Sequence, residues 1–227
     1  MTLKAVFWDM DGTLIDSEPY WHDAEISIAR EHGGYWDEQL GWDHSGTPVV
    51  EIGKDMVKLG CRLDPETIGQ MMIDYVAKAE EERMPWVKGV ETVLVSLRDA
   101  GIPSVLVTTS PRHMAQNLID QAPEGVFVGF VCGDDDVPKK PDPAPYLAAA
   151  RLLGVDIADR DALAQCVAIE DSMTGLTAAG RSGMTVIAQT AFIRLDTSDG
   201  PQTMSLDGYD GVTVRTFEEA VSRRLKI

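Results

Sequence analysis

Short, uninterrupted apolar runs that alternate with amphipathic stretches constrain the fold of this chain more than any other feature of its sequence. Runs that are apolar throughout are typical of strands buried on both faces of a sheet. Strands joined by helices form a parallel sheet with helices on both faces. The predicted strands are 3–7, 104–108, 126–131, 166–169, 185–188 and 212–214, and the predicted helices among them are 89–100, 111–121, 143–153, 173–182 and 217–225. The pattern therefore predicts an α/β fold with a Rossmann-like parallel sheet.

A segment of a different kind interrupts this alternation after the first strand. Residues 17–85 have helical periodicity without strands, and the predicted helices 20–32, 48–60 and 65–83 are separated by breaks that contain Gly or Pro. We therefore expect an α/β core domain of residues 1–16 and 86–227 and an all-helical domain of residues 17–85. Ligands of open parallel sheets bind outside the carboxyl ends of the strands, so a helical insert at this point is placed to act as a cap.

The composition restricts the partners and the location of the protein. Hydrophobic residues make up 44% and charged residues 25% of the 227 residues, which is typical of a globular protein. The formal net charge of −17 repels nucleic acids and anionic membranes, so neither is an expected partner. No apolar run reaches the roughly 20 residues that cross a bilayer, and the N-terminus lacks a signal peptide's apolar core, which predicts a cytoplasmic protein. A monomer or a weak dimer is expected.

The cysteines and one polar stretch allow two structural predictions. The three cysteines, Cys61, Cys132 and Cys166, are far apart in apolar surroundings, so we interpret them as small buried hydrophobes without a disulfide or a metal. The polar stretch 189–211 has no clear periodicity and is interpreted as a surface excursion.

An acidic pair directly after the first predicted strand carries the most specific chemical signal. Asp9 and Asp11 project from the carboxyl end of the strand, on the same side because side chains alternate. Two carboxylates this close are unfavourable unless a cation or a proton lies between them, and Gly12 permits a tight turn after them. A solvated acidic turn is one alternative. A calcium loop is another, but it needs a glycine where Leu14 stands.

Hydroxyl and basic side chains follow other predicted strands. The hydroxyls and backbone N–H groups of residues 108–110 (Thr-Thr-Ser) could hold phosphate oxygens at the start of the next helix, or could simply cap that helix before Pro111. Lys139 and Lys140 precede another helix. An ammonium group aimed at the acids would neutralise a nucleophile and a phosphoryl group, whereas the alternative is a solvated pair in a loop.

A second acidic pair follows the strand 166–169. Glu170 and Asp171 are costly after an apolar strand unless they face water or a metal ion. Oxygen ligands of this kind suit Mg²⁺. Because the acidic surface repels phosphate esters, a site for such a substrate needs a divalent cation and one or two lysines to supply a local positive field.

The order of these clusters resembles a known family. DMDGTL, VTTS, KKP and IEDS, each at the end of a predicted strand or ahead of a helix, are similar to the four motifs of the haloacid dehalogenase (HAD) superfamily. The resemblance covers nearly the whole chain, and the helical insert between the first two motifs resembles the C1-type cap. With Asp16-Ser17-Glu18 before the insert, the chain is most similar to the subgroup of β-phosphoglucomutase-like proteins and sugar-phosphate phosphatases.

The resemblance implies a role for each motif residue. Asp9 would attack phosphorus and form an aspartyl-phosphate, and Asp11 would act as general acid and then general base. Thr108, Lys140 and the Thr109 backbone N–H, with the neighbouring Ser110, would bind the phosphoryl oxygens. Mg²⁺ would be held by Asp9 and Asp171, the Asp11 main-chain carbonyl and, directly or through water, Glu170.

The same resemblance frames which reaction is expected. Dehalogenases and phosphonatases of this superfamily lack the second acid of the first motif, so Asp11 argues against both. A β-phosphoglucomutase-type phosphomutase is the main alternative, but Trp21 stands where those mutases carry a His, and no Arg lies near 45–49. Water is therefore the expected acceptor and a small phosphate ester, such as a sugar or polyol phosphate, the expected substrate. A catalytically silent phosphate-binding module is the remaining alternative.

Four residues of the predicted cap are candidates for contact with the substrate. They are Glu18, Trp21, His44 and Ser45. A Trp on a helix face also fits a place in the core, and a His in a loop also fits a solvated position.

Overall fold

The computed structural model describes residues 3–192 and 196–226. The chain divides into two compact units, one formed by Met1–Asp16 and Trp86–Ile227 and the other by Ser17–Pro85. The first is an α/β unit and the second is helical.

The helical unit consists of four helices. They are α1 (Glu18–Glu31), α2 (Glu38–His44), α3 (Val49–Lys58) and α4 (Pro65–Glu82). The start of α4 is the predicted one, because Asp64 Oδ1 accepts a hydrogen bond from Thr67 N at 2.9 Å and Pro65 is the first helical residue. Helix α2 was not predicted. It has seven residues, too few for a periodic pattern, and it begins where the Asp37 side chain accepts a hydrogen bond from Leu40 N.

A buried polar group lies at the centre of the helical unit. Glu25 is 2% exposed and accepts a hydrogen bond from Trp36 Nε1 at 2.8 Å. A Cβ atom on Gly41 would crowd the side chains of both Glu25 and His22, so the glycine allows α2 to approach α1 closely. Burial raises the pKa of Glu25 from 4.5 to about 7.

We expect Glu25→Gln to make the protein more resistant to unfolding at pH 8 but not at pH 5. Because the folded-state pKa is raised, the native protein binds more protons than the unfolded chain between pH 4.5 and about 7, and stability falls as the pH rises through this range. A pKa shift of this size corresponds to about 3 kcal/mol of stability at pH 8. Urea unfolding of both proteins at pH 5 and pH 8 measures the difference.

The matched control for this prediction is Glu82→Gln, which changes an exposed carboxyl of the same unit. The His44 pKa is also raised: desolvation lowers it, but the Leu40 carbonyl and Asp55 outweigh this effect. The stability that His44 contributes therefore also falls as the pH rises. The comparison is therefore between variant and wild type at each pH. An equal stability difference at both pH values would contradict the assignment to Glu25.

The α/β unit is built on one parallel sheet of six strands. The strands are β1 (Ala5–Trp8), β2 (Ser104–Val107), β3 (Phe127–Val131), β4 (Cys166–Glu170), β5 (Thr185–Gln189) and β6 (Met204–Leu206), in the order β3-β2-β1-β4-β5-β6. All residues of β1, β2, β4 and β5 are buried, which is why their interior positions are apolar and polar residues occur only at strand ends, at Ser104, Glu170, Thr185 and Gln189. The predicted α/β fold with a Rossmann-like parallel sheet is confirmed.

Six helices accompany the sheet: α5 (Val90–Asp99), α6 (Arg112–Gln121), α7 (Ala144–Leu152), α8 (Arg160–Ala164), α9 (Met173–Ser182) and α10 (Val214–Leu225). One core packs Phe7, Val105 and Val186 of the sheet against Tyr146 of α7 and Leu176 of α9. The chain runs outward from β1 in both directions, through β2 on one side and β4 on the other. In parallel sheets, ligands bind outside the carboxyl ends of the strands at such a reversal.

The region after β5 differs from its prediction. The predicted strand 212–214 is wrong, because Thr213 forms a capping box with Thr216 and Val214 is the first residue of α10. The last strand is instead Met204–Leu206, which pairs with β5. The prediction of a surface excursion over 189–211 is wrong at Met204–Leu206, which form the strand β6, and at Gln189 and Tyr209, which are buried. Residues 193–195 of that excursion lie outside the described residues.

Two predictions about the chain as a whole can be compared with the structure. Cys61, Cys132 and Cys166 are buried, as predicted, and each is a free thiol in the structure. Among the residues that the structure describes, no helix combines the length and the apolar character needed to cross a membrane.

Candidate active site

The carboxyl ends of β1, β2 and β4 bring the predicted motifs of the α/β unit together. Trp8 of β1 lies beside Leu106 of β2 and Ile169 of β4 in the parallel register. Asp9 N donates to Ile169 O at 3.1 Å, so the ladder extends one residue beyond the strand. Asp9 therefore begins its turn directly next to Glu170, the last residue of β4.

Lys140 lies at the centre of these strand ends. Its Nζ atom is 2.5 Å from Asp9 Oδ1 and 2.7 Å from Glu170 Oε1, and it donates to Val107 O at 2.9 Å. The Lys140 side chain is only 4% exposed. Its neighbour Lys139 is exposed and donates to carbonyl groups of its own loop. Of the two lysines that the sequence offered, only Lys140 enters the acidic cluster.

Three carboxylates form a cluster that could hold a metal ion. One oxygen atom from each of Asp9, Glu170 and Asp171 lies within 4.8 Å of the others. Three negative charges against the single ammonium of Lys140 leave two uncompensated. Within the described part of the chain, Glu170 Oε2 is buried and has no hydrogen-bond partner. An all-oxygen cluster with two excess negative charges and an unused buried oxygen fits a divalent cation such as Mg²⁺.

Burial and the excess of negative charge in this cluster raise the pKa values of Asp9 and Asp171. Burial, followed by the charge of Glu170, raises the pKa of Asp9 to about 7, although Lys140 opposes the shift. Burial and the charges of Asp9 and Glu170 raise the pKa of Asp171 well above its usual value. The Lys140 pKa is raised because the attraction of Asp9 and Glu170 outweighs the desolvation of its ammonium. Lys140 is therefore a permanent cation at neutral pH.

Two glycines allow the backbone to approach the acids. Gly12 has φ +74°, and a Cβ atom there would overlap the carboxylate of Asp171. Gly175, in the first turn of α9, has the same relation to the carboxylate of Glu170. Both positions favour glycine because a Cβ atom would overlap a carboxylate. Gly12 also has a left-handed backbone conformation, which glycine adopts more readily than other residues.

Hydroxyl groups after β2 complete the edge of the site. Ser110 Oγ donates to Asp11 Oδ2 at 2.7 Å, and Thr108 Oγ1 accepts from Ser110 N at 3.0 Å. Thr108 and Ser110 are buried and Thr109 is exposed. The alternative of a simple helix cap does not describe this segment, because Pro111 is the N-cap of α6 and Ser110 contacts Asp11 in the loop after β1.

Tyr146 is a residue of the site that the sequence did not reveal. Its hydroxyl donates to Glu170 Oε1, the same oxygen that contacts Lys140. The Lys140 ammonium also lies 5.5 Å from the centroid of the Tyr146 ring. A tyrosine in an alanine-rich helix fits an ordinary core position, and the available signal was that a buried phenol needs a hydrogen-bond partner. Tyr146 and Lys140 both contact Oε1 of Glu170, whereas Oε2 has no hydrogen-bond partner among the described residues.

We expect Tyr146→Phe to lower both stability and activity. The substitution keeps the ring and removes a buried hydrogen bond to a charged group, which costs about 1.5–3 kcal/mol. Glu170 then loses one of its two restraints, so the apparent affinity of the site for Mg²⁺ should fall by about tenfold. Thermal unfolding and a Mg²⁺ titration of the activity measure the two effects.

The matched control is Tyr35→Phe in the helical unit. There the tyrosine hydroxyl donates to the Asp37 carboxylate at 2.5 Å, but the ring is 60% exposed. This variant should change stability by less than about 1 kcal/mol and leave the activity unaltered. Equal Mg²⁺ titrations for wild type and Tyr146→Phe would show that Tyr146 has no part in holding Glu170.

The four candidates for substrate contact all belong to the helical unit. Ser45 Oγ donates to Glu18 Oε1 at 2.5 Å, and His22 Nε2 lies 3.3 Å from Glu18 Oε2, so Glu18 and Ser45 are brought together. Trp21 is half-buried. His44 is not simply solvated, since its ring nitrogens lie 2.8 Å from Leu40 O and 3.1 Å from Asp55 Oδ2. The contact of these residues with a substrate stays a prediction.

Known proteins that resemble this chain include a hydrolase family, two phosphatases and a solved structure of the same fold. Residues 3–183 match the model of the haloacid dehalogenase-like hydrolases. Hexitol phosphatase A of Escherichia coli (strain K12) is 29% identical over 198 residues, covering 84% of this chain and 85% of the relative. Validoxylamine A 7'-phosphate phosphatase of Streptomyces hygroscopicus subsp. limoneus is 27% identical over 188 residues, covering 82% and 85%. The solved β-phosphoglucomutase of Clostridium difficile covers 100% of both chains with a TM-score of 0.77 and 16% identity, a likeness of fold.

Proposed function

The chain belongs to the haloacid dehalogenase-like hydrolases, and from this premise we propose that it is a magnesium-dependent phosphatase that hydrolyses a small phosphate ester, a sugar or polyol phosphate. The observation that supports the proposal most is the position of Lys140, a buried cation 2.5 Å from one oxygen of Asp9 within a cluster of three carboxylates. Such a cluster provides a nucleophile and neutralises an incoming phosphoryl group at the same place.

In the proposed reaction, Asp9 attacks the phosphorus atom and the bond from phosphorus to the ester oxygen breaks. Asp11 donates a proton to that leaving oxygen, and the aspartyl-phosphate on Asp9 remains. Asp11 then accepts a proton from water, which attacks phosphorus and releases inorganic phosphate and free Asp9. Ser110, which donates to Asp11 Oδ2 at 2.7 Å, orients this acid for both steps.

The phosphoryl oxygens are bound by groups around Asp9. Lys140 supplies the positive charge, while the Thr108 hydroxyl and the Thr109 backbone N–H supply donors at the end of β2. Ser110 acts beside them through its hydrogen bond to Asp11. Asp9, Asp171, the Asp11 main-chain carbonyl and Glu170 would hold Mg²⁺. A bound Mg²⁺ neutralises charge on the transferred group and aligns it with the nucleophile.

Hydrolysis is preferred over transfer to a second substrate hydroxyl for two reasons. Trp21 stands where the related mutases carry a His, and two relatives that match more than four-fifths of the chain are named hexitol phosphatase A and validoxylamine A 7'-phosphate phosphatase. We assign the helical unit of residues 17–85 as the cap. In this assignment, Glu18 and Ser45 form hydrogen bonds with substrate hydroxyls. His44 and Trp21 are the further candidates for contact there.

The experiment that tests the function is a screen of phosphate esters for release of inorganic phosphate. Hexitol phosphates, hexose phosphates and p-nitrophenyl phosphate should be hydrolysed with Mg²⁺, with the highest kcat/KM for a polyol or sugar phosphate, and chelation of the metal by EDTA should stop the reaction. Glucose 1-phosphate followed by NMR separates the alternative. Formation of glucose 6-phosphate instead of phosphate would establish a mutase, and no turnover of any ester would leave a phosphate-binding module.

The location and the oligomeric state of the protein complete the proposal. Three buried, reduced cysteines suit a reducing compartment, so we assign the protein to the cytoplasm. We assign it as a monomer or a weak dimer, which light scattering at micromolar concentration measures.

A further inference from the structure

The last strand of the sheet and the turn after it lie outside the part of the chain that the family model matches, which ends at residue 183. This turn, residues 207–210, is held firmly by polar contacts with the end of β5. Gln189 Oε1 accepts hydrogen bonds from Ala191 N and from Gly208 N, both at 3.0 Å, and Thr190 N donates to Leu206 O at 2.8 Å. Since β5 pairs with β4, the turn is anchored one strand away from Glu170 and Asp171 at the end of β4.

Tyr209 extends from this turn to the loop that carries the first two acids. It is 2% exposed, and its hydroxyl donates to Thr13 O at 3.0 Å. Its ring packs against Trp8 with the centroids 5.8 Å apart. Trp8 is the residue before Asp9, and Thr13 comes two residues after Asp11. One side chain thus contacts the catalytic loop at both of its ends.

The environment of this contact makes it costly to lose. Thr13 is fully buried, so its carbonyl requires a partner, and the hydrogen bond from Tyr209 supplies one. Burial, together with the carboxylates of Asp171 and Asp9, raises the pKa of Tyr209. The phenol therefore remains a donor at every pH at which the enzyme would be assayed. Trp8 is fixed in turn by its hydrogen bond to Ser104 Oγ at 3.1 Å.

The backbone of Tyr209 also restrains the chain that leads into α5. A Cβ atom on Gly89 would be only 3.3 Å from the carbonyl oxygen of Tyr209, so Gly89, with φ +89°, lets the two segments touch. Both the strand end that leaves β1 and the segment that enters α5 are thus in contact with one residue of the turn. The loop of residues 9–13 is consequently fastened at its far side by a part of the chain that follows it by about 200 residues.

We infer that Tyr209 is a positioning residue for the catalytic loop: by donating to Thr13 O and packing on Trp8, it fixes the turn that aims Asp9 and Asp11. The inference rests on the proposed function, in which these two acids act on the phosphoryl group. A loop held at only one end would allow the acids to shift, and shifts of this kind affect kcat more than substrate binding.

The first test compares Tyr209→Phe with Tyr20→Phe in steady-state assays on the best substrate. Both variants lose one hydroxyl that donates to a main-chain carbonyl at 3.0 Å, but Tyr20 contacts Arg83 O in the helical unit. We expect kcat of Tyr209→Phe to fall by about tenfold with KM changed by less than about twofold. Tyr20→Phe should leave kcat within about twofold of wild type. A folded Tyr209→Phe variant with wild-type kcat would overturn the inference.

A second pair of variants changes the turn through its backbone alone. Gly208 and Gly101 have φ +79° and +73°, and in both cases a Cβ atom would meet no neighbour, so alanine adds the same strain at each. Gly208→Ala displaces the turn that carries Tyr209 and should lower kcat several-fold, whereas Gly101→Ala, after α5, should not. Equal kcat values for the two would overturn the inference even if Tyr209→Phe proved too unstable to purify.

Hydrogen exchange separates this inference from the proposed function. The amides of Gly12 and Leu14 are bonded inside the loop, to Ile15 O and to Met10 O, each at 2.8 Å. They should exchange faster in Tyr209→Phe than in wild type, while the amides of Tyr20→Phe in the same loop should not change. This result does not depend on turnover, so it supports the positioning role even if the phosphatase assays fail. Unchanged exchange at Gly12 and Leu14 would overturn it even if they succeed.

Discussion

Asp9→Asn is expected to lower the release of phosphate by about 10³-fold or more, because an amide oxygen cannot take the place of the attacking carboxylate. The same variant should be at least as stable as wild type when Mg²⁺ is removed. Burial and the charge of Glu170 raise the pKa of Asp9 to about 7, so its ionised form is unfavourable in the cluster above that pH. Lys140 keeps a second partner in Glu170 at 2.7 Å.

The two effects of Asp9→Asn are measured separately. Phosphate release under saturating Mg²⁺ and substrate gives the loss of kcat, and thermal unfolding at pH 8 in EDTA gives the change in stability. Asp99→Asn is the matched control, since it neutralises an exposed aspartate that pairs with Arg98 at 2.8 Å, and it should change neither quantity appreciably. An Asp9→Asn variant that keeps more than about a tenth of the wild-type kcat would exclude Asp9 as the nucleophile.

Gly175→Ala is expected to have the second largest effect, although alanine ordinarily stabilises a helix by up to about 1 kcal/mol relative to glycine. Here a Cβ atom would overlap the carboxylate of Glu170. Glu170 cannot move away easily, because its Oε1 is held by Lys140 and by Tyr146. Steric conflict therefore outweighs helix propensity, with a net loss of about 1–3 kcal/mol in stability. Displacement of Glu170 should lower kcat/KM by about 100-fold.

The control for this variant is Gly129→Ala on β3. A Cβ atom there would lie 3.6 Å from Leu152 Cδ1, which is an ordinary contact, so kcat/KM should remain within about twofold of wild type. A higher Mg²⁺ concentration should recover part of the activity of Gly175→Ala, because the substitution displaces Glu170 but removes none of the carboxylates that would bind the ion. Wild-type kcat/KM together with wild-type stability would mean that Glu170 does not need its present position.

The sequence was sufficient where a single local signal determined the structure. Short apolar runs predicted β1, β2, β4 and β5, because a strand covered on both faces is apolar at its interior positions. The polar clusters at 9–11, 108–110 and 170–171 could be grouped because the carboxyl ends of parallel strands lie at one edge. Lys140 could be chosen over Lys139 only by the family resemblance, and the structure shows the physical difference, which is burial of one ammonium between two carboxylates.

The sequence was insufficient where a residue acts through a distant partner. Tyr146 is separated from Glu170 by 24 positions, and Tyr209 from Thr13 by 196, so no spacing rule connects either pair. Helices α2 and α8 are too short to show a period. Val212 and Val214 suggested a strand, but the capping box at Thr213 determines a helix there, and the edge strand forms at Met204–Leu206 instead.

The order of the strands also has a consequence for how the protein is made. The central strand β1 leaves the ribosome long before its two neighbours in the sheet, which lie far along the chain: Val6 pairs with Ser104, and Ala5 with Cys166. At a synthesis rate of roughly 5–20 residues per second, β1 waits on the order of ten seconds for both neighbours. During that time a strand of four apolar residues has no permanent partner, so the growing chain depends on protection from aggregation until β4 has emerged.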